Sequence, residues 1–304
     1  MPGWAGPDTV AAMSRESHPL HPSFRLPETF TALVEFIMDG LDPADPDVWH
    51  YASWADKGGD LFSGDLSAGL LGKPVGDDPA ELCGELLYTF QPLEILPFCW
   101  NGGDGLHYGW AVLAPELEGD DHPCVSFAPV DDHAVWLGDD TKQALENLLA
   151  GSMASWRERG REQGLDAPDT DERWGAVCRA LDLRPDLDSG LISPGARSKR
   201  VLEPRVPEGW RYEATSDGIG VLAPQSAFAP ETVQVDQPWD FEQWRVVARV
   251  YLDEGRPGSA LAVLKSLSYY DRGTVELMGE AYRRLGRETH AERAELWLRL
   301  HATD

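Results

Sequence analysis

The residues of this 304-residue chain that could do chemistry are few and scattered. His107, His122, Cys124 and His133 fall in one stretch and could share a metal. Their spacing matches no zinc pattern, which needs paired, closely spaced ligands. Cys99 beside Trp100, with His107 downstream, has the residue types of a thiol nucleophile and its base, but no motif supplies an oxyanion hole. The acid pairs Asp120-Asp121, Asp131-Asp132 and Asp139-Asp140 could bind a divalent ion or act as acid and base. Adjacent acids on a strand point to opposite faces, and acids in turns usually face water. The glycine-rich run 101–105, NGGDG, lacks the phosphate-loop form and opens no helix, so it reads as a turn. No GxSxG occurs, and no basic patch with interleaved aromatics. No catalytic residue, metal ligand or cofactor is expected, and nucleic acid is not an expected partner.

Charge and aromatics point to protein binding instead. The chain has 52 acids against 26 bases, a net charge of -26. Residues 1–150 hold 26 of the acids and 5 of the bases, so the negative field belongs mainly to the first half. Such a field repels nucleic acid and anionic membrane and speeds encounter with basic partners. Trp100 and Trp110 flank the NGGDG turn, with His107 and Tyr108 between them and Asp104 at the tip. Asp131 and Asp132 follow on a neighbouring turn. Exposed aromatics beside acids would anchor a basic protein, so these seven residues form the expected partner surface. The alternative is that the aromatics pack against the helix expected at 26–40.

The elements that would position these residues follow from periodicity. Phe30, Leu33, Val34 and Ile37 recur at helical spacing within 26–40. The segment 48–54 and the end of 81–96 are β-leaning, and 57–78, rich in Gly and Asp, reads as a loop. Two apolar runs around NGGDG read as a hairpin, and 122–138 as two more strands. Residues 141–163 read as a helix capped by Asp140 or Thr141, and 169–183 as another. Residues 192–210 look like a linker, and 210–230 like a short hairpin. From Trp239 onward an internal repeat appears: Trp244, Ala248, Tyr251, Ala260 and Leu264 match Val275, Gly279, Tyr282, Ala291 and Glu295, 31 residues on. This is a tetratricopeptide-like pattern, in which small residues let two helices approach closely.

The expected organisation is α+β. It has a flexible lead-in at 1–22, an α+β domain at 23–163 that folds alone, a middle region at 164–237 and helical hairpins at 238–304. No apolar run reaches ~18 residues, so no membrane-spanning segment is expected. The first residues lack a basic start and an apolar core, so no secretory signal is expected, and the four cysteines form no CxxC. A cytoplasmic protein is the expectation.

Three blocks carry a family resemblance. Leu26, Pro27 and Phe30 open the first helix. Pro97, Phe98, Gly103, Gly105 and Tyr108 stand in the hairpin, and Leu145, Leu148 and Leu149 in the closing helix. In this order they resemble the SUKH superfamily, the immunity proteins of bacterial toxin systems and relatives that include a yeast cell-wall regulator. The NGG usual at the end of the first helix is MDG here, and 57–78 looks like an insertion. The resemblance implies a SUKH-like mixed sheet with flanking helices that binds another protein, often a toxin enzyme, and blocks it. A non-enzymatic immunity-type protein is the leading expectation, with a cytoplasmic scaffold or regulatory adaptor second and a hydrolase third.

Overall fold

A computed structural model describes residues 17–18, 21–39, 65–66, 87, 91–101, 106–117, 119, 121–128, 133–162, 170–189 and 202–301. Helix α1 (Glu28–Met38) follows Pro27 and turns Phe30, Leu33, Val34 and Ile37 inward. Four antiparallel strands form the main sheet: β4 (Ile95–Asn101), β5 (Leu106–Ala111), β6 (Cys124–Phe127) and β7 (Ala134–Gly138). They pair in sequence order, and the two-residue β3 (Asp65–Leu66) extends the sheet beside β4. That short strand lies within the stretch expected as loop. A separate small hairpin pairs β1 (Ser17–His18) with β2 (His21–Arg25).

Part of the expected flexible lead-in is therefore structured. The fully buried His18 ring donates from Nε2 to the Pro97 carbonyl at 2.8 Å and meets the Trp110 ring edge-on. The β-leaning segments at 48–54 and 86–90 fall outside the described residues, except for Leu87. So do most of 57–78, the turn residues Gly103, Asp104 and Gly105, and the linker stretch 192–201.

Both faces of the sheet are covered. On one face Leu96, Phe98, Tyr108, Trp110 and Leu137 pack against α1, against α2 (Thr141–Glu162) through Leu145, Leu148 and Leu149, and against α3 (Thr170–Ala180) through Trp174 and Val177. On the other, Ile95, Ala111, Val125, Phe127 and Trp136 pack against Leu202, Ile219 and Leu222. The alternation of side chains along each strand produces this two-sided burial. The covering segment carries the hairpin of β8 (Trp210–Glu213) and β9 (Val221–Pro224). Its turn is sewn to the sheet: the Ala134 N–H donates to the Asp217 carbonyl at 2.7 Å. Gly218, at φ +78°, lies so close that an added Cβ would sit 2.5 Å from the Ala134 oxygen.

Residues 241–301 form four helices: α4 (Phe241–Asp253), α5 (Pro257–Leu264), α6 (Arg272–Arg284) and α7 (Glu288–His301). Turns of three residues fold α5 back on α4 and α7 back on α6, giving two hairpins. Asp240 and Asp271 cap α4 and α6 by accepting from the Gln243 and Thr274 N–H groups. Helix α5 is buried along its whole length, and its core includes Val221, Ala223, Phe228, Leu87 and Leu93. The helical tail thus shares its core with the middle region and with residues next to the sheet.

A buried ionic cluster ties these layers together. Lys265, wholly buried after α5, sits 2.6 Å from Glu94 Oε1 and 3.0 Å from Asp217 Oδ2. The Tyr282 hydroxyl donates to Glu94 at 2.7 Å, and the Tyr270 hydroxyl to Asp217 at 3.2 Å. Arg293 of α7 donates to the Leu93 and Ile95 carbonyls, and His290 Nε2 donates to the Val112 carbonyl at 2.8 Å. Arg287 grips the Glu116 carboxylate through Nε and Nη2. Two buried cations, Lys265 and Arg293, face two buried carboxylates, so the cluster balances its charge. Paired, hydrogen-bonded charge is the condition under which burial is tolerated.

Candidate functional site

Of the seven residues picked out by the sequence, His107, Tyr108 and Trp110 lie buried within the sheet. Trp110 is fully buried, with its ring centroid 4.9 Å from Phe30 and 4.8 Å from Phe98, and its indole N–H donates to Thr141 Oγ1 at 2.9 Å. Tyr108 lies in the same core, and His107 is wholly buried on the strand. These three are corrections to the expected partner surface: a sheet covered on both faces leaves β5 no exposed side. Trp100 stands on β4 opposite His107 and Asp65. Asp104, Asp131 and Asp132 lie outside the described residues.

The possible catalytic groups serve as clamps. Asp121 accepts from the Thr141 N–H at 3.0 Å, the Thr141 hydroxyl at 2.6 Å and the His122 N–H at 2.8 Å, tying the loop before β6 to the start of α2. Burial raises its carboxyl above the usual range, against these hydrogen bonds. Asp140 accepts from the Gln143 N–H at 2.8 Å, as a cap does, and Asp139 from the Trp136 indole at 2.8 Å. Burial pushes the Cys124 thiol well up, with the Asp121 charge adding to it, which disfavours a thiolate. Burial lowers His122 to about 4. Among the described residues no three His, Cys, Asp or Glu side chains converge as metal ligands.

The surface that does stand out lies on α4. Its inward face is Trp244, Ala248, Tyr251 and Leu252. On the opposite side Val246 and Val250, one turn apart, are 61% and 50% exposed, and Trp239 just before the Asp240 cap is 67% exposed. Residues four apart share a helix face, so Val246 and Val250 form one row, and Trp239 stands exposed in the turn that precedes the helix. On the flank toward α6 the charges are already paired: Arg245 with Asp271, Arg249 with Glu280 at 2.6 Å. Arg245 and Thr274 together hold the Asp271 carboxyl below its usual range despite partial burial, which alone would raise it. Arg256, past the end of α4, donates to the Ser226 carbonyl. Glu242, Asp253 and Glu254 are exposed beside the row and join no ion pair among the described residues.

The repeat pattern located α4 but not this row. A signal was present in the valines. β-branched residues are mediocre helix formers, and two of them on a solvent-facing side gain no burial in return. Nothing on this face is placed to make or break a bond. What it offers is apolar contact area with an acidic margin.

No family model matches the chain, and no curated protein matches it either. Among the described residues no helix is long and apolar enough to cross a membrane. The class defined by the fold and the site is an α+β protein with a docked helical tail that presents an apolar helix face.

Proposed function

We propose that this chain is a non-enzymatic protein-binding module of the immunity type, which binds a toxin enzyme and blocks it in the cytoplasm. The observation that carries the binding role is the solvent-facing pair Val246 and Val250 on α4, with Trp239 exposed just before the helix. Exposed apolar patches on an otherwise charged surface mark interaction sites. The immunity reading draws support from element order. The Leu26-Pro27-Phe30 helix, the β4–β5 hairpin, β6–β7 and the leucine-bearing α2 follow one another as the SUKH resemblance requires. The acidic first half suits a basic toxin domain.

A tetratricopeptide-like tail is part of this reading. Trp244, Ala248, Tyr251, Ala260 and Leu264 are buried, as are their counterparts Val275, Gly279, Tyr282 and Ala291. Glu295, the odd member, is half exposed and paired with Arg283. An added Cβ at Gly279 would sit 3.3 Å from the Ala294 Cβ, the close helix approach that the repeat's small residues serve.

The test uses the full chain as bait in its host lysate, beside a Trp239→Ala/Val246→Asp variant. Proteins retained by the first and lost by the second are identified by mass spectrometry, and their toxicity and activity are measured as the full chain is added. Stoichiometric inhibition of a toxic enzyme is expected. A specifically captured protein with no toxicity would overturn the immunity reading in favour of an adaptor.

A further inference from the structure

We infer that the row on α4 is a seat for one kind of partner element, a basic amphipathic α-helix of another protein; this rests on the protein-binding reading above. Three observations select that occupant. The first is the form of the surface. A helix face offers side-chain ridges but no free backbone donors or acceptors, unlike a strand edge. A segment laid across Val246 and Val250 gains no backbone hydrogen bonds from the seat, so a partner whose backbone is already internally bonded, as in an α-helix, loses least on docking. The second is size. The 13 residues of α4 run about 20 Å, room for several turns of a partner helix packed ridge into groove.

The third is charge. Arg245 pairs with Asp271, Arg249 and Arg284 share Glu280, and Arg256 is hydrogen-bonded to a neutral carbonyl. Against Arg256 stand three acids that join no ion pair among the described residues: Glu242 near the start of α4, Asp253 and Glu254 at its end. A partner with an apolar stripe flanked by Lys or Arg meets this margin with opposite charge. A second copy of this chain would instead bring acid against acid, on a molecule whose net charge is -26.

The probe is a fluorescently labelled Leu/Lys peptide of about 18 residues with an apolar helical stripe. It is titrated into the full chain by fluorescence anisotropy. Two controls accompany it: a scrambled peptide of the same composition without the stripe, and a Leu/Glu peptide that keeps the stripe. Affinity should fall at least about tenfold for either control and for the Trp239→Ala/Val246→Asp variant. Salt should weaken binding severalfold without abolishing it. Hydrogen exchange on the same samples should show new protection at 239–254. Circular dichroism checks that the variant is folded, and Val250→Asp, tested alone, should also lose affinity. Equal binding of the scrambled peptide, or undiminished binding by both variants, would overturn the inference. So would self-association of the full chain that Val246→Asp abolishes, because the occupant would then be a second copy. A toxin captured and blocked through another face would leave the immunity reading intact while this inference fails. A non-toxic partner bound through α4 would do the reverse.

Discussion

Lys265 is one of five lysines in the chain, and it is wholly buried between Glu94 and Asp217. Burial alone would lower its pKa, but the two carboxylates outweigh that and hold it above its ordinary value. Replacing Lys265 by Met leaves both carboxylates without their cation and should cost about 3–5 kcal/mol in urea unfolding. Adding Glu94→Gln and Asp217→Asn to the same variant should recover much of that loss. Because the folded-state pKa is raised, the lysine's contribution is complete below its unfolded value of 10.5 and is lost only as pH rises through the folded value. The variant's deficit should therefore stay constant between neutrality and pH 10. His122 behaves oppositely. Burial lowers it from 6.5 to about 4, so the unfolded chain takes up a proton that the folded chain refuses. Stability should decline as pH falls from 6.5 toward 4, and His122→Asn should flatten that decline in thermal melts collected across the range.

At the scale of elements, Gly218 marks the stitch between the β8–β9 turn and β7. Gly218→Ala meets both a positive φ and the Ala134 oxygen, and should lower stability by more than about 1 kcal/mol in urea unfolding. Val246→Asp, on the outer side of α4, should shift stability by less than about 0.5 kcal/mol. Helix α1 was legible from its 3.6-residue apolar period, and the four tail helices from the 31-residue repeat of Trp244, Ala248, Tyr251, Ala260 and Leu264. The β4–β5 hairpin was legible from two apolar runs about a glycine-rich turn. The cover on the sheet's second face was not. Leu202 lies in a Pro- and Gly-rich stretch with no period to read, and the hairpin that carries Ile219 and Leu222 gives no sign of where it docks, more than 60 residues along the chain from the strands they bury. That omission bears on His107 alone; Tyr108 and Trp110 are buried on the first face, Trp110 against Phe30 of α1, the alternative packing that the sequence also offered. His107 looks exposed only while β5 is assumed to have a free face. The row on α4 was missed because the repeat pattern marks the helix's inward residues and is silent about the outward ones.

For the whole molecule, composition suggested an acidic α+β domain ending near 163 and a tail of different character. The α+β character stands, while the buried contacts cross the expected boundary repeatedly. Tyr282 reaches Glu94, Arg293 reaches Leu93 and Ile95, His290 reaches Val112, and Arg287 holds Glu116. A chain ending at 163 would expose Ile95, Val125, Phe127 and Trp136 and leave Glu94 without Lys265. Such a fragment should show fewer protected amides and bind hydrophobic dye. The rigidity that lets α4 hold its outer row in place depends on the same contacts, so sheet and tail should open together. Hydrogen exchange of the full chain at rising urea, read by mass spectrometry, tests this most directly. Amides in 95–101, in 106–111 and in 272–301 should lose protection at the same urea concentration and in the same cooperative step. Loss of protection in 272–301 at distinctly lower urea, with 95–101 and 106–111 still protected, would contradict it and make the tail a separate unit.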